Sequence, residues 1–275
     1  MPNRLRFRGS AYGAAGVITT PFREIIPTQA SSNLADFGGY ASARSDDFSH
    51  RNIVRFDCAY TEVTGSRTHL HSPVPTYSTL SKAVVEGLNI LDMVTADRVV
   101  GNLVSTFRVG EGNEPEIKLI GSRFENLRIA GIPVRVHLCL DILDRHHDHK
   151  SLRAAYRADK KVRDIFGDDD LRKRYGGAPA EVKEFLDAPS DNEDEMPSHE
   201  GVSALSIVRR VEPEGNAFEC FGHVIHIEGF GVIRLGELRI CKRTRHLTML
   251  QVRLGCPVEG DCSFGSTDDG TSSGN

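Results

Sequence analysis

Hydrophobic residues in this chain recur mainly at every second position. Across residues 53–62, IVRFDCAYTE, Val54, Phe56, Cys58 and Tyr60 fall on one face and Arg55, Asp57 and Thr61 on the other. A period of two marks a strand with one buried face. The cleanest case is residues 132–143, where Val134, Val136, Leu138, Leu140 and Ile142 alternate with Arg135, His137, Cys139 and Asp141. Further strand-forming runs cover residues 78–94, 99–109, 116–120 and 123–129, and later 202–211, 218–228, 232–241 and 247–254. Turn chemistry separates them: GEGNEP, the Pro- and His-bearing GSRTHLHSPVPTY, Gly229, and the basic run KRTRH.

The pattern changes abruptly after Leu143. Residues 144–200 carry 26 charged side chains, 15 acidic and 11 basic, so this segment accounts for the whole formal charge of −4. Leu152, Ala155 and Tyr156, followed by Val162, Ile165 and Phe166, have helical spacing and stop at Gly167. Val182, Phe185 and Leu186 form a second short stripe between Pro179 and Pro189. The sequence therefore predicts a mainly β protein, an antiparallel β-sandwich or barrel, with a charged, partly helical insertion. Residues 1–143 and 201–262 are expected to form one β-rich domain and 144–200 the insertion. Residues 263–275, ending STDDGTSSGN, are expected to be a disordered tail because they are so poor in apolar side chains.

Composition narrows the function classes. With 39% hydrophobic residues over 275 positions the chain can bury a large core, and with 7% aromatics and no Trp that core must be mostly Val, Ile and Leu. A pI near 6.3 leaves no electrostatic footprint for nucleic acid. No apolar run approaches the roughly 18 residues of a transmembrane helix, and the basic N-terminus lacks a signal peptide's apolar region. The expected location is cytoplasmic by default, with unrecognised export to the outside as the alternative. Six cysteines without a CxxC spacing are too dilute for a disulfide scaffold. Cys256 and Cys262 bracket CPVEGDC and are either a bridge formed in an oxidising compartment or two free thiols.

Chemistry is sparse. On a helix His146 and His149 would share a face, and on a strand His226 and Glu228 would do so, with His223 on the other face. His146, His149, His226 and Glu228 are thus the candidate ligands for a divalent metal such as zinc, although no HExxH supports them. Each group also reads as an ordinary polar surface: a strand-to-helix junction for the first, a strand's polar face for the second. His69 and His71 form an HxH pair in a loop. There is no GxSxG and no phosphate loop, so no catalytic residue and no organic cofactor is assigned. The leading expectation is a non-catalytic β-structured protein acting in protein–protein interaction or self-assembly, its partner another protein or a second copy. The alternative is a metal-dependent hydrolase.

Two segments, GLNILDMVTADRVVGNLVSTF and GSRFENLRIAGIPVRV, carry Thr95, Ala96, Asp97 and Val99, then Gly121, Ser122, Asn126, Leu127, Gly131, Pro133 and Val134. Over about residues 87–136 this pattern resembles β-rich bacterial surface proteins of the choice-of-anchor kind. The resemblance implies a β fold and an extracellular setting, and no activity. The secretion signal and C-terminal anchor of such proteins are not recognisable in this sequence.

Overall fold

A computed structural model of the chain describes residues 5–68, 75–109, 115–141, 205–215, 218–240, 244–255 and 257–273, with isolated positions between 145 and 180. The described residues form two nine-stranded antiparallel sheets that face each other and do not close into a barrel. Numbered along the chain, sheet A runs in the order β14 (Glu219–Phe221), β15 (Val224–Ile227), β16 (Gly231–Ile240), β17 (Thr244–Leu254), β18 (Glu259–Ser273), β1 (Leu5–Thr20) and β2 (Glu24–Gln29). Short β3 (Ser32–Asn33) lies on β1, and β12 (Leu205–Ser206) on β16. Sheet B runs β13 (Val208–Pro213), β11 (Ile132–Leu138), β10 (Arg128–Ile129), β7 (Val94–Arg108), β6 (Thr76–Ile90), β5 (Val54–Thr68) and β4 (Gly39–His50). Two more short strands, β8 (Glu116–Lys118) and β9 (Arg123–Glu125), pair with β7. Among the described residues no helix is long and apolar enough to cross a membrane.

The core lies between the sheets and is built as the composition dictates, from Val, Ile and Leu with Phe56 and Phe264 as large fillers. Small residues set how closely the sheets approach. A Cβ on Gly13 would stand 2.6 Å from that of Ala59, and one on Gly101 would stand 2.7 Å from the carbonyl oxygen of Gly265. Polar links cross the same gap: Ser81 donates to the Asp268 carbonyl at 2.9 Å, and Thr61 to that of Ala30.

Several expectations change. Residues 263–273 are not a disordered tail: they are the greater part of β18, paired with β1 as far as Ser273 and with β17 as far as Gly270. Their few apolar side chains reflect tight packing on one face and a polar site on the other. Thr244 to His246, expected in a turn, begin β17. The run 78–94 splits into β6 and β7 around Leu91–Asp92–Met93, where Leu91 and Asp92 take positive φ and the side chain of Asn89 bonds Asp92. Val54 and Phe56 enter the core as expected, but so does Ala59, and Tyr60 turns outward. The alternation reverses there because Asp47 and Gly87, at positive φ, interrupt the ladders on either side of β5. In β11 a register shift after His137 likewise brings Cys139 into the core.

The charged segment 144–200, with its expected helices, lies almost wholly outside the described residues. Its flanks do meet. β11 pairs with β13, and the Cys139 N–H donates to the Ile207 carbonyl at 2.7 Å.

Candidate polar cleft on sheet A

Alternation along β16, β17, β18 and β1 assigns one set of side chains to the core and the other to the outer face of sheet A. The pleat reverses on all four strands at one level, marked by Gly236 at φ +59° and Gly265 at φ +65°. The residue two before and the residue one after each glycine thereby reach the same face. That is why Arg234 and Glu237, three apart in one strand, form an ion pair.

The register then lines up polar residues in rows across the strands. One row is Asn33, Ser10, Asp268, His246 and Arg239, contributed in turn by β3, β1, β18, β17 and β16. The next is Tyr12, Ser266, Thr248 and Glu237. Over these rows lies a cleft of about 720 Å³, within the few hundred to a thousand Å³ typical of small-ligand sites.

A hydrogen-bonded chain orders the centre of the cleft. His246 Nδ1 lies 2.5 Å from Asp268 Oδ1, and Ser10 donates to Asp268 Oδ2 at 3.2 Å. A carboxylate only accepts, so Nδ1 carries a proton, while Nε2 lies 2.8 Å from the Thr248 hydroxyl. Thr248 Oγ1 in turn shares a hydrogen bond with the Ser266 hydroxyl at 3.1 Å. The His246 side chain is 19% exposed and that of Asp268 40%, so both reach the cleft from fixed positions.

Charge at the cleft is compensated locally. Glu237 accepts from Arg239 Nη2 at 2.6 Å and pairs with Arg234. Burial pushes its carboxyl up, but the two guanidiniums outweigh that and hold it below the usual carboxylate range. Arg6 pairs with Asp36 at 3.3 Å. Beneath the cleft, buried Arg245 and Asp269 are directly paired in register. Burial raises the Asp269 carboxyl, with Thr79, Arg245 and Ser105 opposing the rise. His223, buried beside Arg234 and Glu237, is driven down to about 3, mainly by burial. Burial also pushes the free Cys262 thiol up to about 12.

Of the residues singled out from sequence, His226 and Glu228 lie outside the cleft lining. His226 sits half-buried on β15, and Glu228 is exposed in the turn that follows it. His146 is an isolated described position; His149, His69, His71 and Cys256 lie outside the described residues. Among the described residues no group of three or more His, Cys, Asp or Glu is placed to hold a metal ion.

His246, Thr248 and Asp268 escaped the sequence reading because they sit in segments assigned to a turn, a plain strand and a tail. The available signal was His246 and Thr248 at period two, between apolar Leu247 and Met249.

A family model described as a domain of unknown function, DUF8256, matches residues 5–241. It stops short of β17 and most of the cleft's central chain. No curated protein and no solved structure matches.

Proposed function

The chain belongs to the DUF8256 family, whose description assigns no activity, and we propose that the protein binds a small polar ligand, without chemical turnover, in the cleft on sheet A. The observation that carries this reading is a 720 Å³ cleft floored by hydrogen-bonding side chains already held in place by one another. Pre-ordered partners lower the entropy lost on binding, which favours recognition.

The Asp268–His246–Thr248 chain has the connectivity of a nucleophile, base and orienter. Two features favour binding over catalysis. Thr248 is only 7% exposed and Ser266 fully buried, so neither hydroxyl is open to an incoming carbonyl. Thr248 also lies mid-strand and paired on both sides, which commits the local N–H groups to the ladders and leaves none aimed at a developing oxyanion.

Ligand-observed NMR with a panel of sugars, amino acids, nucleotides and carboxylates tests the reading. Signals are expected with wild type and not with folded His246→Ala. A panel with no hits, or hits unchanged in both His246→Ala and Asp268→Asn, overturns it.

A second reading, association with another protein or a second copy, is supported by β4. This strand pairs only with β5 among the described residues, and Phe37 just before it and Tyr40 within it are 88% and 65% exposed. An unpaired strand edge is a template for strand addition. Light scattering that returns a monomer at high concentration counts against this reading.

A further inference from the structure

Building on the reading of the cleft as a ligand site, we infer that its ligand is a neutral saccharide of two or three rings lying across the strands. Three observations converge on that chemistry.

The first is charge. Asp36, Glu237, Asp268 and Asp269 each face a cation or a histidine, namely Arg6, Arg234 with Arg239, His246, and Arg245. Arg8 is the one cleft cation without a hydrogen bond or ion pair among the described residues, and it is exposed at the rim. A site for a phosphate or carboxylate ligand would converge uncompensated cations on one point. Here every cation of the lining but Arg8 at the rim already faces an acidic group.

The second is the type of partner. Besides carboxylate and imidazole, the lining offers the hydroxyls of Ser10, Thr244 and Ser263 and the amides of Asn33 and Gln251. These groups both donate and accept, as does each hydroxyl of a sugar. Asp268 is the strongest acceptor among them. Tyr12 adds an aromatic ring to the same lining, suited to the C–H face of a sugar.

The third is shape. The row Asn33, Ser10, Asp268, His246, Arg239 crosses five neighbouring strands, and four steps of about 4.8 Å give it a length of roughly 19 Å. Polar contacts repeated along such a line select an extended ligand over a compact one.

Calorimetric titration of the full chain with neutral disaccharides and trisaccharides, alongside glucuronate and inorganic phosphate, tests this. The expected result is a neutral saccharide bound at micromolar to millimolar Kd, with affinity changed less than about twofold by 0.5 M NaCl or Arg8→Ala, because no ion pair carries it. Asp268→Asn is expected to weaken binding at least tenfold, and Asn33→Ala, at an exposed position, severalfold. Should Asp268→Asn fail to fold, Asn33→Ala decides, and unchanged affinity there overturns the inference. If only glucuronate or phosphate binds, and salt abolishes it, the saccharide is wrong while the cleft remains a ligand site. If no member of the wider polar panel binds either, both fall.

Discussion

At the scale of single residues, buried ionisable groups give the fold a definite pH response. His223 has a folded value of about 3 against an ordinary 6.5, so between those values the unfolded chain binds a proton that the folded chain refuses. Stability is then lost as pH falls from about 6.5 towards 3, by an amount on the order of 5 kcal/mol. Glu237, held below its ordinary value, works in the same sense at lower pH: its contribution is present above the unfolded value and lost as pH falls through the folded one. Asp269, held above its ordinary value, acts in the opposite sense, because acid relieves the cost of burying its charge. Urea unfolding of His223→Gln across this range should therefore show a flatter profile between pH 6.5 and 4.5, with the Glu237 contribution remaining below it. A profile identical to wild type would exclude His223 as the source. In the cleft, His246→Ala strips Thr248 of a partner inside a nearly buried network and should cost about 1–3 kcal/mol by denaturant unfolding at pH 7.

At the scale of elements, the cleft depends on where the pleat reverses. Gly236 takes φ +59°, and a Cβ there would lie 2.8 Å from Ile207 Cγ1. Gly236→Ala therefore adds left-handed strain to a steric clash and should destabilise by about 2–3 kcal/mol in denaturant unfolding. Such reversals also mark the limit of what alternation reveals. The strand at Val54 was legible from period two, and so was β11, which ends at Leu138. Period two carries no mark of a residue that flips the face, so Tyr60 was assigned inward and Cys139 outward, and both are reversed. The hairpin at Leu91–Asp92–Met93 was hidden for a related reason: Leu and Met are not turn residues, and only Asn89 hints at the bend.

At the scale of the molecule, β18 is the strand most at odds with its composition. It sits between β17 and β1 in the middle of sheet A, yet its greater part reads as a polar tail. Apolar content signals burial only where the packing partner is a large side chain. Here Gly265 meets Gly101, Thr267 and Asp269 are buried, Asp268 lines the cleft, and Ser266 lies buried against Thr248. Deleting residues 263–275 should consequently abolish the folded state, seen as loss of cooperative thermal unfolding by circular dichroism. A truncated chain that melts like wild type would contradict the observed pairing. The mainly β architecture, as a sandwich or a barrel, was legible in the sequence, whereas the cleft, assembled by register from β1, β3, β16, β17 and β18, was not, because register is set by pairing across the sheet.

The central claim is that ligand recognition resides on the outer face of sheet A, and amide chemical-shift mapping tests it most directly. Titrating isotopically labelled protein with a neutral trisaccharide should shift the amides of Ser10, Asn33, His246, Thr248 and Asp268 in a saturable, concerted manner. Saturable shifts that leave these residues untouched and cluster instead along β4 or in residues 144–200 would contradict the account.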